Sequence, residues 1–358
     1  MSQIIPFGVI WLLFGCIFLT VEYAATKDYG YTPAGIIALD FEIVVFGLTS
    51  VMIVGLLVGL IEVLFMNRLF SSNSFIVKMM GKLATYSVVL FLIICITYPI
   101  AASIELDLPI TDRVIWNKFS DFLSSIGFLN VGFQMAISLG ASLFYAEIGN
   151  NIGQGVLLNF VIGKYHRPQE EERIFMFLDM KSSTYIAEKI GHRRYFEFLK
   201  AYYNTLSNAL IDHYGEIYQY VGDEMVVSWK VEDGLSNNNC IRCFFKMKQA
   251  LAKKQDWFKS EFGLYPEFKA GLHVGVVTTG EIGNVKQDII FTGDVLNTTA
   301  RIQCLCNMYE VDILVSEDLV TKLNLPSNYQ VTSLGSTELR GKVETMELYT
   351  LSEIKAVL

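Results

Sequence analysis

A chain of 358 residues with a net charge of −8, and with its 28 Lys and Arg scattered without a run, lacks the basic face that nucleic-acid binding requires. A mean hydropathy of +0.40 with 52% hydrophobic residues excludes an ordinary, wholly water-soluble composition. Charges are sparse over the first ~150 residues and frequent after them, which predicts a membrane half followed by a soluble half.

Four stretches reach the ~20 apolar residues that a bilayer crossing needs: Ile4–Val21, Ile43–Phe65, Ala84–Ile104 and Phe122–Ala146. The first has no basic segment before it, and "YAATKD" after it is a weak cleavage site, so it is expected to be retained. The loop after span two carries Arg68, Lys78 and Lys82 and no acid, which predicts a cytoplasmic location. The loop after span three carries Glu105, Asp107, Asp112, Arg113, Lys118 and Asp121 and is expected to face outward. Both termini and the soluble half are then cytoplasmic, on a multi-pass protein of the inner membrane. The outward loops are too short for a folded extracellular ligand domain. Glu62, at the inner end of span two, reads as solvated beside Arg68. Gly127, Gly132 and Gly140 in span four predict close helix approach, either within the chain or between two chains of a dimer.

Residues 149–172 form the expected linker between a membrane domain at 1–148 and a soluble domain at 173–358. Ile152, Val156, Leu157, Phe160 and Val161 recur at helical spacing. The pattern predicts an amphipathic helix ended by Pro168 and the acidic run at 170–172.

The soluble half opens on "RIFMFLDM", an apolar run that reads as a buried strand ending at Asp179. "KSST" begins a helix, and the amphipathic "RRYFEFLKAYYNTLSNALIDHYG" closes at Gly215. "IYQYVGDEMVVSW" (Ile217–Trp229) reads as two strands joined at Gly222-Asp223. A helix over Asn237–Phe262 follows, then the strand "FKAGLHVGVV", the short strand "DIIFTG" and the helix "DVLNTTARIQCLCNMY". "DILVS", "EDLVTKL" and the hairpin "ELRGKVETMELYTL" close the chain. The order strand-helix-strand-strand-helix-strand is the ferredoxin-like βαββαβ pattern, an antiparallel sheet with helices on one face. Cys240, Cys243, Cys304 and Cys306 fall in helical stretches without glycine-rich knuckles. They are read as buried reduced thiols in preference to a zinc site.

On "FMFLDMKSST", "YQYVGDEMVVSW", "AGLHVGVVTTGEIGN", "FTGDVLNTTARI" and "LRGKVETMELYTL", in that order, the soluble half resembles the catalytic domain of class III nucleotidyl cyclases. These are the adenylate and guanylate cyclases, which convert a nucleoside triphosphate to a 3′,5′-cyclic nucleotide and pyrophosphate. The resemblance implies that Asp179, Asp223 and the backbone carbonyl of Met180 bind two Mg²⁺ or Mn²⁺ ions per site, as hard oxygen ligands suit. It implies that Thr184 and the first amides of its helix hold the triphosphate. Asn297 and Arg301, spaced i, i+4 on one helix face, are implied to stabilise the ribose and the α-phosphate in the transition state. Lys342 is implied to hold the terminal phosphates, with Arg340 as an alternative.

The resemblance further implies a head-to-tail homodimer, with the metal aspartates from one chain and Asn297, Arg301 and Lys342 from the other. At the two positions that select the base in this family, this chain has Gln219 and Ile290. Glutamine both donates and accepts, and isoleucine offers only packing. Asp288 and Thr292 flank Ile290 and are expected to point elsewhere. ATP is the expected substrate. GTP, an unselective pocket and a catalytically weak nucleotide-binding receptor are the alternatives.

Overall fold

The structure, a computed structural model, describes residues 4–27, 37, 40–66, 69, 75–152, 163, 165–285, 288–338 and 345–354. The chain divides into two compact units, Met1–Ile162 and Gly163–Leu358.

The first unit is helical: α1 Ile5–Lys27, α2 Phe41–Ile61, α3 Phe75–Leu106, α4 Arg113–Leu123 and α5 Ile126–Ile152. Among the described residues, four segments are long and apolar enough to cross a membrane: Ile5–Ala24, Phe41–Met66, Val77–Leu106 and Ile126–Gly149. The third starts earlier than expected because Lys78 and Lys82 are inside α3, not in a loop. Each has an acidic partner. Lys78 Nζ lies 2.7 Å from Glu147 Oε2, and Lys82 pairs with Glu62.

Glu62 is therefore not a solvated interfacial acid. It is fully buried, and it also accepts a 2.8 Å hydrogen bond from the Tyr86 hydroxyl. A charge inside an apolar bundle persists when a countercharge and a donor satisfy it.

The short α4 was not anticipated. Its Ile115, Phe119 and Phe122 are buried at i, i+4, i+7, and Asp112 caps it by accepting from the Val114 amide at 2.9 Å. Phe122 stacks on Tyr98 with ring centroids 4.1 Å apart, so it belongs to α4 and not to the fourth long helix.

Within the chain, a close helix crossing occurs at glycines of the first two helices. A Cβ on Gly55 would lie 2.7 Å from Trp11 Cβ, and one on Gly8 2.8 Å from Leu56 Cδ2, so α1 and α2 meet at glycine. At Gly132 and Gly140 no atom of another described helix of the chain lies within 4 Å of that position.

The second unit carries an eight-stranded sheet. Its elements in chain order are β1 Gln169–Met180, α6 Ser183–Ile190, α7 His192–Asp212, β2 Glu216–Val221, β3 Glu224–Lys230, α8 Val231–Leu235, α9 Asn239–Lys253, α10 Gln255–Phe262, β4 Phe268–Ile282, β5 Asp288–Thr292, α11 Asp294–Leu305, β6 Ile313–Ser316, α12 Glu317–Val320, β7 Tyr329–Glu338 and β8 Thr345–Glu353. The strand order is β2-β3-β1-β4-β6-β8-β7, with β5 beside β4. The four core strands β2-β3-β1-β4 pair antiparallel, as the βαββαβ pattern requires. Beyond them β6 joins parallel to β4, so the complete sheet is mixed.

Strand alternation distributes β1 between two cores. Ile174, Met176 and Leu178 pack with Phe198, Tyr202 and Leu206 of α7 and with Cys240, Phe244 and Met247 of α9. Phe175 and Phe177 face the other side, with Val277 of β4 and Val295 of α11. Helices therefore cover both faces, not one. The expected single layer holds for the ferredoxin-like core, and α11, which follows that core in sequence, lies against the opposite face.

Three further expectations shift. The acidic run at 170–172 is strand, paired with Val276, Val277 and Thr278 of β4, and does not end a helix. The helix over Asn237–Phe262 divides into α9 and α10 at Lys254. Cys240, Cys243 and Cys306 are buried, and burial raises the Cys240 and Cys306 thiols to about 12; Cys304 is exposed. Most of the proposed linker helix, residues 153–162, lies outside the described residues.

The glycine-rich strand β4 has a steric purpose. A Cβ on Gly271 would sit 2.4 Å from the Gln303 backbone nitrogen, and one on Gly275 2.8 Å from Val295 Cγ2. The missing side chains let α11 lie directly on the sheet. Gly271→Ala is expected to lower unfolding stability by about 3 kcal/mol, at the upper end of overpacking costs because the obstacle is backbone. Chemical denaturation of the variant checks this, and a loss below about 1 kcal/mol would contradict the close approach.

Candidate active site

The site forms where β1 ends. Asp179, the penultimate residue of β1, stands opposite Glu224 of β3 and Lys269 of β4. The pair Val221–Glu224 closes a two-residue turn of Gly222 and Asp223. Gly222 has φ +65°, a left-handed conformation that glycine adopts without a Cβ penalty. This turn places Asp223 beside Asp179, within side-chain hydrogen-bonding reach.

The electrostatics of that pair are distinctive. Burial raises the Asp179 carboxyl above the usual carboxylate range, the adjacent Asp223 raises it further, and Lys269 opposes the shift. Lys269 Nζ lies 3.3 Å from Asp179 Oδ2, and Gln303 Nε2 donates to the same oxygen at 3.2 Å. Two carboxylates held together repel unless a proton or a cation lies between them. Carboxylate oxygens from the end of β1 and from the adjoining turn are hard donors of the kind that suits Mg²⁺ or Mn²⁺.

Tyr203 of α7 steadies the turn. Its hydroxyl donates to the carbonyls of Gly222 at 3.0 Å and Glu224 at 3.3 Å, one on each side of Asp223. Sequence reading missed Tyr203, Lys269 and Gln303. Tyr203 has no motif around it. Lys269 could have been found from its place in a buried strand, where a lone cation needs an acid. Gln303 is two residues past Arg301, on the side of the helix that carries the buried Thr299 and Ile302.

Helix α6 begins directly after β1. Ser182 at its N-cap is left-handed, with φ +55°, and its side chain makes no capping hydrogen bond. Thr184 is exposed there, so the first amides retain their affinity for an anion.

The chain neighbours of the two residues expected to meet the base are in contact. The Phe291 amide of β5 donates to the Tyr218 hydroxyl of β2 at 3.2 Å, and the two rings lie 4.8 Å apart. Gln219 and Ile290 are the chain neighbours of that contact. β2 shifts register between Ile217 and Gln219, which leaves Gln219 exposed on the strand. In β5, residues two apart share a face, so Asp288 and Thr292 point the same way as Ile290, not elsewhere as expected.

Asn297 is exposed and Arg301 half-buried on α11, whose opposite side buries Val295, Thr299 and Ile302. Among the described residues, the side chains bonded to Asp179 are Asp223, Lys269 and Gln303. Asn297 and Arg301 are not among them. Lys342 and Arg340 lie outside the described residues.

Comparison with known proteins identifies the family. The model of the adenylate and guanylate cyclase catalytic domain matches residues 166–353. The chain is 31% identical over 224 residues to adenylate cyclase 2 of Rhizobium meliloti, a match covering 63% of this chain and 62% of that protein. It is 29% identical over 188 residues to an adenylate cyclase of Anabaena cylindrica, covering 51% of this chain and 36% of the relative. The chain thus spans less than two thirds of the length of either. Among solved structures, a bacterial light-regulated adenylyl cyclase superposes with a TM-score of 0.52 at 19% identity, covering 63% of this chain and 66% of that one. That likeness is one of fold.

Proposed function

Because the chain belongs to the family of adenylate and guanylate cyclase catalytic domains, we propose that it is a membrane-anchored nucleotidyl cyclase. It forms a 3′,5′-cyclic nucleotide and pyrophosphate, with ATP as the favoured substrate. The observation that carries this reading is the Asp179–Asp223 pair, held at a strand end beside an uncapped helix N-terminus.

Asp179, Asp223 and the Met180 carbonyl would hold two divalent ions, and ions bound there would supply charge neutralisation for the phosphates and acidify the ribose 3′ hydroxyl. The free amides of α6, with Thr184, bind the triphosphate oxygens at the positive end of the helix. Asn297 orients the ribose, and Arg301 clamps the α-phosphoryl oxygens as charge develops on them. Lys342 holds the departing pyrophosphate.

The exposure of Asn297, and its absence from the described side chains bonded to Asp179, support a shared site. In a head-to-tail homodimer, Asn297, Arg301 and Lys342 of one protomer complete the carboxylate site of the other. The four apolar helices support anchoring in a bilayer by length and composition, and a cytoplasmic catalytic domain is the orientation that suits a nucleoside triphosphate substrate.

The names of the two relatives support ATP. Gln219 supplies both a donor and an acceptor, and Thr292 and Asp288 add polar groups on the face of Ile290. The test is product analysis of the purified full chain given ATP, GTP, CTP and UTP in competition with Mg²⁺ and then Mn²⁺. Cyclic AMP as the main product is the expected outcome. Cyclic GMP as the main product would move the assignment to a guanylate cyclase. The absence of any cyclic product would replace it with a nucleotide-binding receptor.

A further inference from the structure

Gln303 connects two parts of the catalytic machinery. It belongs to α11, the helix that carries Asn297 and Arg301. It is 3% exposed, and its amide donates to Asp179 Oδ2 at 3.2 Å. The contact exists because Gly271 lets the helix backbone come close; any side chain there would meet the Gln303 nitrogen. Lys269 reaches the same oxygen at 3.3 Å. Lys269 is itself anchored by Asn307 Oδ1 at 3.1 Å, two residues past the end of α11. Both donors converge on Oδ2, and neither falls on Oδ1.

We propose that Gln303 is a positioning residue, which fixes the Asp179 carboxylate for metal binding and ties it to the helix bearing Asn297 and Arg301. This rests on the reading of Asp179 as a metal ligand. The residue type suits the task. A neutral amide restrains a carboxylate oxygen without competing with a divalent cation, whereas a glutamate at this position would repel Asp179. In a head-to-tail dimer Asn297 and Arg301 serve the partner's site. The contact then couples the metal carboxylate of one site to the phosphate clamp of the other.

The test is Mn²⁺ binding by the full chain in lipid nanodiscs, followed through the electron paramagnetic resonance signal of free Mn²⁺. Gln303→Met keeps the side-chain shape and removes the donor. Its Mn²⁺ Kd is expected to rise about tenfold, as for the loss of a partner that orients a metal ligand, while its unfolding temperature stays that of the unsubstituted protein. Turnover at limiting metal is expected to fall with it, and excess metal restores it. Gln303→Asn keeps the amide but withdraws it by one methylene, and an intermediate weakening is expected; it carries the test if the Met variant does not fold. Wild-type Mn²⁺ affinity in the folded variants would overturn the proposal. Asp179→Asn in the same titration separates the two readings. If it loses Mn²⁺ while Gln303→Met does not, only the role of Gln303 fails. If Asp179→Asn binds as the unsubstituted protein does, the metal assignment fails with it.

Discussion

Asp179→Ala and Asp223→Ala each reduce cyclic-nucleotide formation by about a thousandfold or more. Metal ions supply several kcal/mol of transition-state charge stabilisation in phosphoryl transfer, and each 1.4 kcal/mol is about tenfold in rate. Losing either carboxylate removes a ligand from the set. The two variants differ in what they leave behind. Asp223 sits in a turn whose flanking carbonyls are held by Tyr203, so Asp223→Ala keeps the hairpin and isolates the chemical loss. Asp179→Ala strands the buried donors of Lys269 and Gln303, which adds a folding cost that Asp179→Asn avoids. Chromatographic product assay with Mg²⁺ and with Mn²⁺, beside thermal unfolding, distinguishes these losses. Folded variants of both positions that retain Mg²⁺-dependent turnover would contradict the metal assignment.

Arg301→Ala is expected to lower kcat by about 10²–10³-fold, the usual loss on removing one donor from a developing oxyanion. KM should change little, because the contact strengthens only as negative charge accumulates in the transition state. Stability should also change little, since the buried contacts of α11 are made by Val295, Thr298, Thr299 and Ile302. A variant that raises KM at constant kcat would identify Arg301 as a ground-state ligand instead.

Much of the catalytic unit was legible in the sequence because local chemistry and global placement agree there. Gly222-Asp223 is a two-residue turn by its own preferences, and the same turn delivers Asp223 to the end of β1. The apolar run to Asp179 is a strand buried on both faces, and its length put the aspartate at the mouth of the sheet. What the sequence did not disclose depends on contacts between distant segments. Lys269 and Gln303 meet Asp179 only because a glycine strand admits α11. The opposite-face position of α11 has no local mark in its residues. In the helical unit, Lys78 and Lys82 read as loop charges until their acids at 147 and 62 are brought across helices. Hydropathy registers a lysine as a boundary, whereas packing makes it half of a buried pair. The glycine crossing of the first two helices was likewise not placed by the sequence. Small residues permit a close approach, but the approach occurs where two helices cross, at Gly8 and Gly55.

The most direct test of the account mixes full-length chains carrying Asp179→Ala with chains carrying Arg301→Ala under conditions where protomers exchange. Half of the randomly paired dimers are mixed, and each mixed dimer regains one of its two sites, so activity should return to about a quarter of the unsubstituted level. Cyclic-nucleotide formation near that level, from two chains that are each inactive, is the predicted result. Activity no greater than that of the separate variants, with mixed dimers demonstrated by differential tagging, would contradict a catalytic site shared between protomers.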